Sequence, residues 1–199
     1  MKKAKQALPE GYRAIFSVDL QKDKKKALWV NLAAALLALS LGVPMHFLIP
    51  IHELFDLSGG YLPYLLRFIV LLAGLVGYII LHELVHGITM KCFGTKKVKY
   101  GFTGLYAFAG SEDLYGKGSY LVIALAPVVV WGIVLAALCP IVPRSWFWVV
   151  YFIQLNNIAG AAGDFYVTLK FLRLPRDILV RDSGVSMVVY SAEANDEQN

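Results

Sequence analysis

Charge is scarce in this sequence. Lys, Arg, Asp and Glu make up 17% of the 199 residues against 58% hydrophobic ones, where an ordinary soluble domain is about 25% charged. That shortage argues against a soluble globular chain and for a membrane protein. Cysteine is scarce too. The only two, Cys92 and Cys139, fall near opposite membrane faces in the topology read below, so no disulfide framework is available. A nucleic-acid partner is excluded by distribution. A net charge of +5 would suit one, but Lys and Arg stand in blocks between apolar runs and line no single face, a pattern that describes topology.

Four apolar runs are present. Ala27 to His52 holds no Lys, Arg, Asp or Glu; the others run from Phe68 to about Met90, from Gly118 to Pro143 and from Ser145 to about Leu169. Each is long enough as a helix to cross a hydrocarbon layer of about 30 Å. The N-terminal charged stretch and the long run after it do not match a cleavable signal, so the first run is expected to stay as a span. The expected fold is therefore an all-α membrane protein of four transmembrane helices. Residues 1–26 form a basic cytoplasmic segment, 27–172 the four-span domain and 173–199 a cytoplasmic tail, of which the terminal SAEANDEQN is expected to be disordered.

Basic residues set the orientation. Residues 1–26 carry eight Lys or Arg, Lys91 to Lys117 five, and the chain from Lys170 onward four, leaving only Arg67 and Arg144. The positive-inside rule puts both termini and the middle loop in the cytoplasm of a multi-pass cell-membrane protein embedded in the lipid bilayer. Within the middle loop, residues 96–116 (KKVKYGF, then turn formers) suit a short β-hairpin between spans two and three, or a re-entrant segment, or a simple connecting loop.

With the flanks set aside, the acidic residues at membrane depth are Glu83 and Asp164, accompanied by His82 and His86. Ionisable groups inside spans are costly and mark function by default. His82 and His86 are four apart in LHELVH, so a helix stacks them on one face, where two imidazoles can bind one metal ion. Lys91 follows His82 by nine residues, and Lys170 and Arg173 follow Asp164 by six and nine. Both sites thus lie roughly 10–15 Å below the cytoplasmic boundary, at one level. Zinc is the expected ion, with His82, His86 and Asp164 as ligands and a fourth position open to a water whose pKa falls toward about 7. Glu83, a non-ligand in such motifs, is the expected general base for hydrolysis of an amide. Small residues on the second run (Gly74, Gly77) and the fourth (Ala159 to Gly163) would let helix backbones approach closely.

The stretches LHELVHGITMKCFGTKKVKYGF, FTGLYAFAGSEDLYGKGSYLVIALAP and NNIAGAAGDFYVTLKFLRLPRDILVRDSG resemble the bacterial membrane family of putative zincin peptidases. More distantly the sequence is similar to the site-2 proteases, intramembrane metalloproteases whose later span reads Asn-x-x-Pro-x-Pro-x-Leu-Asp-Gly. Asn156 and Asp164 keep that motif's eight-residue separation, while Ala159, Ala161 and Gly163 replace the prolines and leucine, and Phe165 the last glycine. The resemblance implies zinc-dependent intramembrane cleavage of a membrane protein or peptide, with Asp164 as third ligand and Asn156 contacting substrate backbone or the developing oxyanion. An interhelical hydrogen bond is the other reading of Asn156; Asn157 lies about 100° round the helix.

The remaining polar candidates are peripheral. His46 and His52 fall near the outer face, Asp177 and Asp182 read as capping or turn residues after the last span, and Glu112 and Asp113 stand as substitute ligands from the loop. The competing function is a catalytically silent membrane protein that binds metal or uses the cluster in transport or regulation.

Overall fold

The computed structural model describes residues 3–19, 22–104 and 106–192. Helices α1 (Lys24–Leu48), α2 (Tyr61–Cys92) and α3 (Lys117–Leu138) follow the first three apolar runs. They measure 25, 32 and 22 residues and are apolar enough to cross a membrane. At 1.5 Å per residue even the shortest reaches roughly 33 Å. None of α1's residues is buried in the protein, and Leu36, Phe47, Leu72, Ile80 and Ile133 on these helices stand exposed. A helix apolar all round and uncovered by protein has lipid as its natural solvent.

Their ends follow local chemistry. Asp23 caps α1, its carboxylate accepting the Lys26 N–H at 3.0 Å, which satisfies one of the orphan donors of the first turn. α2 stops at Gly94, whose φ of +97° suits a residue without Cβ, and the Thr95 N–H turns back to the Met90 carbonyl at 3.2 Å.

The fourth run departs from expectation. The single helix from Ser145 to Leu169 is instead α4 (Phe147–Gly160) followed by α5 (Ala162–Leu172), of 14 and 11 residues. The break falls at Ala161, with ψ at +14° and its N–H turned to Ala159. Gly160 and Gly163 flank it, and each glycine weakens a helix by about 1 kcal/mol relative to alanine.

The all-α expectation is also corrected, because six short strands are present among the described residues. β1 (Arg13–Val18), β4 (Leu114–Gly116), β5 (Leu179–Asp182) and β6 (Met187–Ser191) form a sheet in the order β1-β6-β5-β4, antiparallel throughout. Lys5 bridges the outer edge of β4. β2 (Lys99–Phe102) and β3 (Ala107–Gly110) pair as a hairpin, inside the segment for which a hairpin was one of three readings. Ser191, first of the SAEANDEQN tail, closes β6; residues 193–199 of that tail lie outside the described residues.

The chain divides into two compact units, one of Met1–Trp29, Glu83–Ala126 and Asp164–Asn199, the other of Val30–His82 and Pro127–Gly163. The first has a core of Met90, Phe93, Tyr115, Tyr120, Ile123, Phe171, Val180 and Val189, so the end of α2, the start of α3, α5 and the sheet share one apolar interior. The second is built on Leu54, Phe147, Trp148, Val149, Tyr151 and Leu155. There Tyr151 donates to the Leu41 carbonyl at 2.9 Å and the Trp148 indole to that of Ile49 at 3.0 Å. The close helix approach expected of the glycines occurs at Gly74, where a Cβ would lie 2.6 Å from Ile153 Cδ1; Gly77 and Gly163 face open space.

Candidate metal centre

α2 carries the His-Glu-x-x-His segment unbroken. His82 therefore sits one turn before His86 on the same helical face, with Glu83 beside it. Asp164 is the third residue of α5, so the break at Ala161 places it in a first turn, where an anion is favoured by the helix dipole. Asp164 Oδ1 stands 3.7 Å from His86 Nε2, and His82, His86 and Asp164 offer ligand atoms that all lie within 4.8 Å of one another. Two atoms bound at 2.0–2.1 Å to a tetrahedral ion are about 3.3 Å apart. A small contraction of the group would meet that spacing.

The imidazole of His86 supports the same use. Its Nδ1 lies 2.8 Å from the Ile123 carbonyl, which can only accept, so Nδ1 carries a proton and Nε2, turned to Asp164, is the nitrogen left for a metal. The carbonyl is available for a specific reason. Ile123 is four residues before Pro127, inside α3, and proline has no N–H to close that helical bond. His86 is 9% exposed, and His82, Glu83 and Asp164 are half-buried. Two imidazoles and a carboxylate are a donor set that fits zinc.

A cavity of about 150 Å³ opens on the group, walled by Glu83, His86, Asp164, Tyr120, Asp182 and the β3 residues Ala107 to Ala109. Tyr100 on β2 lies against Gly87, where a Cβ would overlap its hydroxyl. Partial burial and the charge of Glu83 push the Tyr100 phenol upward in pKa.

Two sets of residues here go beyond the sequence reading, which took Asp182 as a capping or turn residue, set Asn157 behind Asn156 and did not name Tyr78. Asp182 accepts from the Tyr120 hydroxyl and, at 2.8 Å, from the Gly184 N–H. Withdrawal from water pushes its carboxyl above the ordinary range, against the lowering effect of those bonds. The DSG turn formers between ILV and MVV were the signal for the β5–β6 hairpin that brings it there. Tyr78 and Asn157 are the second set: the Tyr78 hydroxyl is 2.7 Å from His82 Nδ1 and donates to Asn157 Oδ1 at 2.8 Å. Asn156 is half-buried, its amide oxygen over Gly160.

The other peripheral candidates are engaged elsewhere or lie outside the cavity lining. His46 accepts from the Ile51 N–H at 3.1 Å, His52 lies in a 3-10 turn, Glu112 pairs with Lys99 at 2.9 Å, and Asp177 accepts from Ser191 and Ala192.

A family model described as "Putative zincin peptidase" matches residues 75–179, just over half of the chain, and the stretch contains the whole metal group with Glu83. Comparison with curated proteins and with solved structures gives no match.

Proposed function

The chain belongs to the family described as "Putative zincin peptidase" that its residues 75–179 match, and from that premise we propose that it is a membrane-embedded, zinc-dependent endopeptidase of membrane-associated polypeptides. One observation carries the reading: the helical face of a His-Glu-x-x-His segment and an acid from another helix offer three ligand atoms within 4.8 Å of one another. His82, His86 and Asp164 would hold the ion. Zinc bound there supplies a Lewis acid and lowers the pKa of water toward about 7. Glu83 takes the proton of the attacking water as its oxygen bonds to the scissile carbonyl carbon. As the C–N bond breaks, the same carboxyl returns that proton to the leaving amine. Asn156 has the part that the site-2 protease motif gives it, a hydrogen bond to substrate backbone.

The membrane setting rests on charge and length. α4 and α5 together make the fourth crossing, and the basic blocks hold both termini in the cytoplasm of a multi-pass protein. β3 borders the cavity, which favours a substrate segment that is extended beside it.

The test uses protein purified in detergent, with bound zinc and cleavage of a membrane reporter measured for wild type and Glu83→Gln. Zinc retained with cleavage reduced by at least about 100-fold supports the general base. Cleavage at wild-type rate in the variant overturns the mechanism and favours a silent metal-binding protein.

A further inference from the structure

We infer that Tyr78 and Asn157 are positioning residues that decide which ring nitrogen His82 offers to the metal. The inference rests on His82 being a ligand, as proposed above, and goes on to the chain of donors behind it.

That chain begins at backbone carbonyls of α3, which can only accept. Gln154 Nε2 donates to the Gly132 carbonyl at 3.3 Å, so the Gln154 oxygen is turned to Asn157. Asn157 Nδ2 donates to that oxygen at 3.3 Å and to the Val128 carbonyl at 3.2 Å. Both acceptors fix the amide the same way round, and Asn157 Oδ1 is left to accept from Tyr78 at 2.8 Å. Tyrosine has a single hydroxyl proton. Spent on Asn157, it leaves the Tyr78 oxygen as an acceptor toward His82 Nδ1 at 2.7 Å. His82 is thereby protonated on Nδ1, and its Nε2 lone pair is the one presented to the metal.

Burial makes the assignment rigid. Asn157 is fully buried and Tyr78 is 6% exposed, so neither has water as an alternative partner, and an unpaired amide or hydroxyl there is expensive. Metal-binding histidines commonly donate their second ring N–H to an outer partner that sets tautomer and orientation; here the partner is a tyrosine, itself oriented by an asparagine.

The experiment measures zinc affinity by chelator competition in detergent for wild type, Tyr78→Phe, Asn157→Ala, the double variant and His82→Ala. Tyr78→Phe should bind zinc about 10–100-fold more weakly. The double variant should be little weaker than Tyr78→Phe, because Asn157 acts through the hydroxyl already removed. If His82→Ala loses zinc while Tyr78→Phe keeps wild-type affinity, the relay is overturned and the ligand set stands. If His82→Ala keeps zinc, the ligand assignment is overturned and the relay with it. A second measurement needs no relay variant: long-range ¹H–¹⁵N spectra of histidine-labelled, zinc-loaded wild type, with only four histidines in the chain. His82 should carry its proton on Nδ1. A His82 protonated on Nε2 overturns the relay.

Discussion

Asp164 owes its place to the break before it. Had Ser145 to Leu169 formed one helix, Asp164 would be a mid-helix acid two turns beyond Asn156; in the structure it stands in the first turn of α5, 3.7 Å from His86. Asp164→Ala should leave two imidazoles for the ion and lower zinc occupancy measured by metal analysis at fixed free zinc, since three protein ligands and an open position are what catalytic zinc needs. Full occupancy in that variant would assign the third ligand elsewhere. The same break explains what was legible at this scale. His82, Glu83 and His86 can be read from spacing on a helix that really is continuous, and Asp164 from depth. The choice of Asn156 over Asn157 as the residue to watch came from the site-2 protease motif, and the helical phase that went with it does not carry from Asp164 across the break at residue 161. Asn157 proved to be the fully buried one.

Among the elements, α3 lacks one backbone hydrogen bond, and that gap has a chemical use. Pro127 leaves the Ile123 carbonyl without its helical donor, and His86 Nδ1 occupies it at 2.8 Å. Pro127→Ala would restore an N–H that competes for that carbonyl. Zinc affinity should fall, by roughly 10-fold or less, because the outer bond is contested rather than deleted. Thermal stability measured alongside should not fall as zinc affinity does, since the variant gains a helical hydrogen bond. Unchanged affinity would make the proline a packing residue only. The helices themselves were readable because charge-free runs of their length have few other solutions in lipid. The strands were not. β4 has three residues and β5 four, too short for a period of two to register, and β1 lies in a segment whose lysines dominated its reading.

At the scale of the whole molecule, division into two units was invisible in the sequence, since one of them gathers three stretches from both ends and the middle of the chain. Orientation, by contrast, is a property of the sum of charges and can be tested with the native cysteines. Cys92, at the end of α2 beside Lys91, is exposed, and Cys139, just past α3, is half-buried. The positive-inside rule expects the eight basic residues before Ala27 and the five from Lys91 to Lys117 on the cytoplasmic side; on that proposal Cys92 should resist a membrane-impermeant maleimide in intact cells and react in inside-out vesicles. A Cys139→Ser background removes the other thiol. Labelling of Cys92 in intact cells would invert the topology, and the cavity beside Glu83 would then be reached from outside. The proposed zinc site would survive that inversion, because its candidate ligand atoms are set by side-chain geometry on α2 and α5. Its substrates would change, because they would have to arrive from the other face of the membrane.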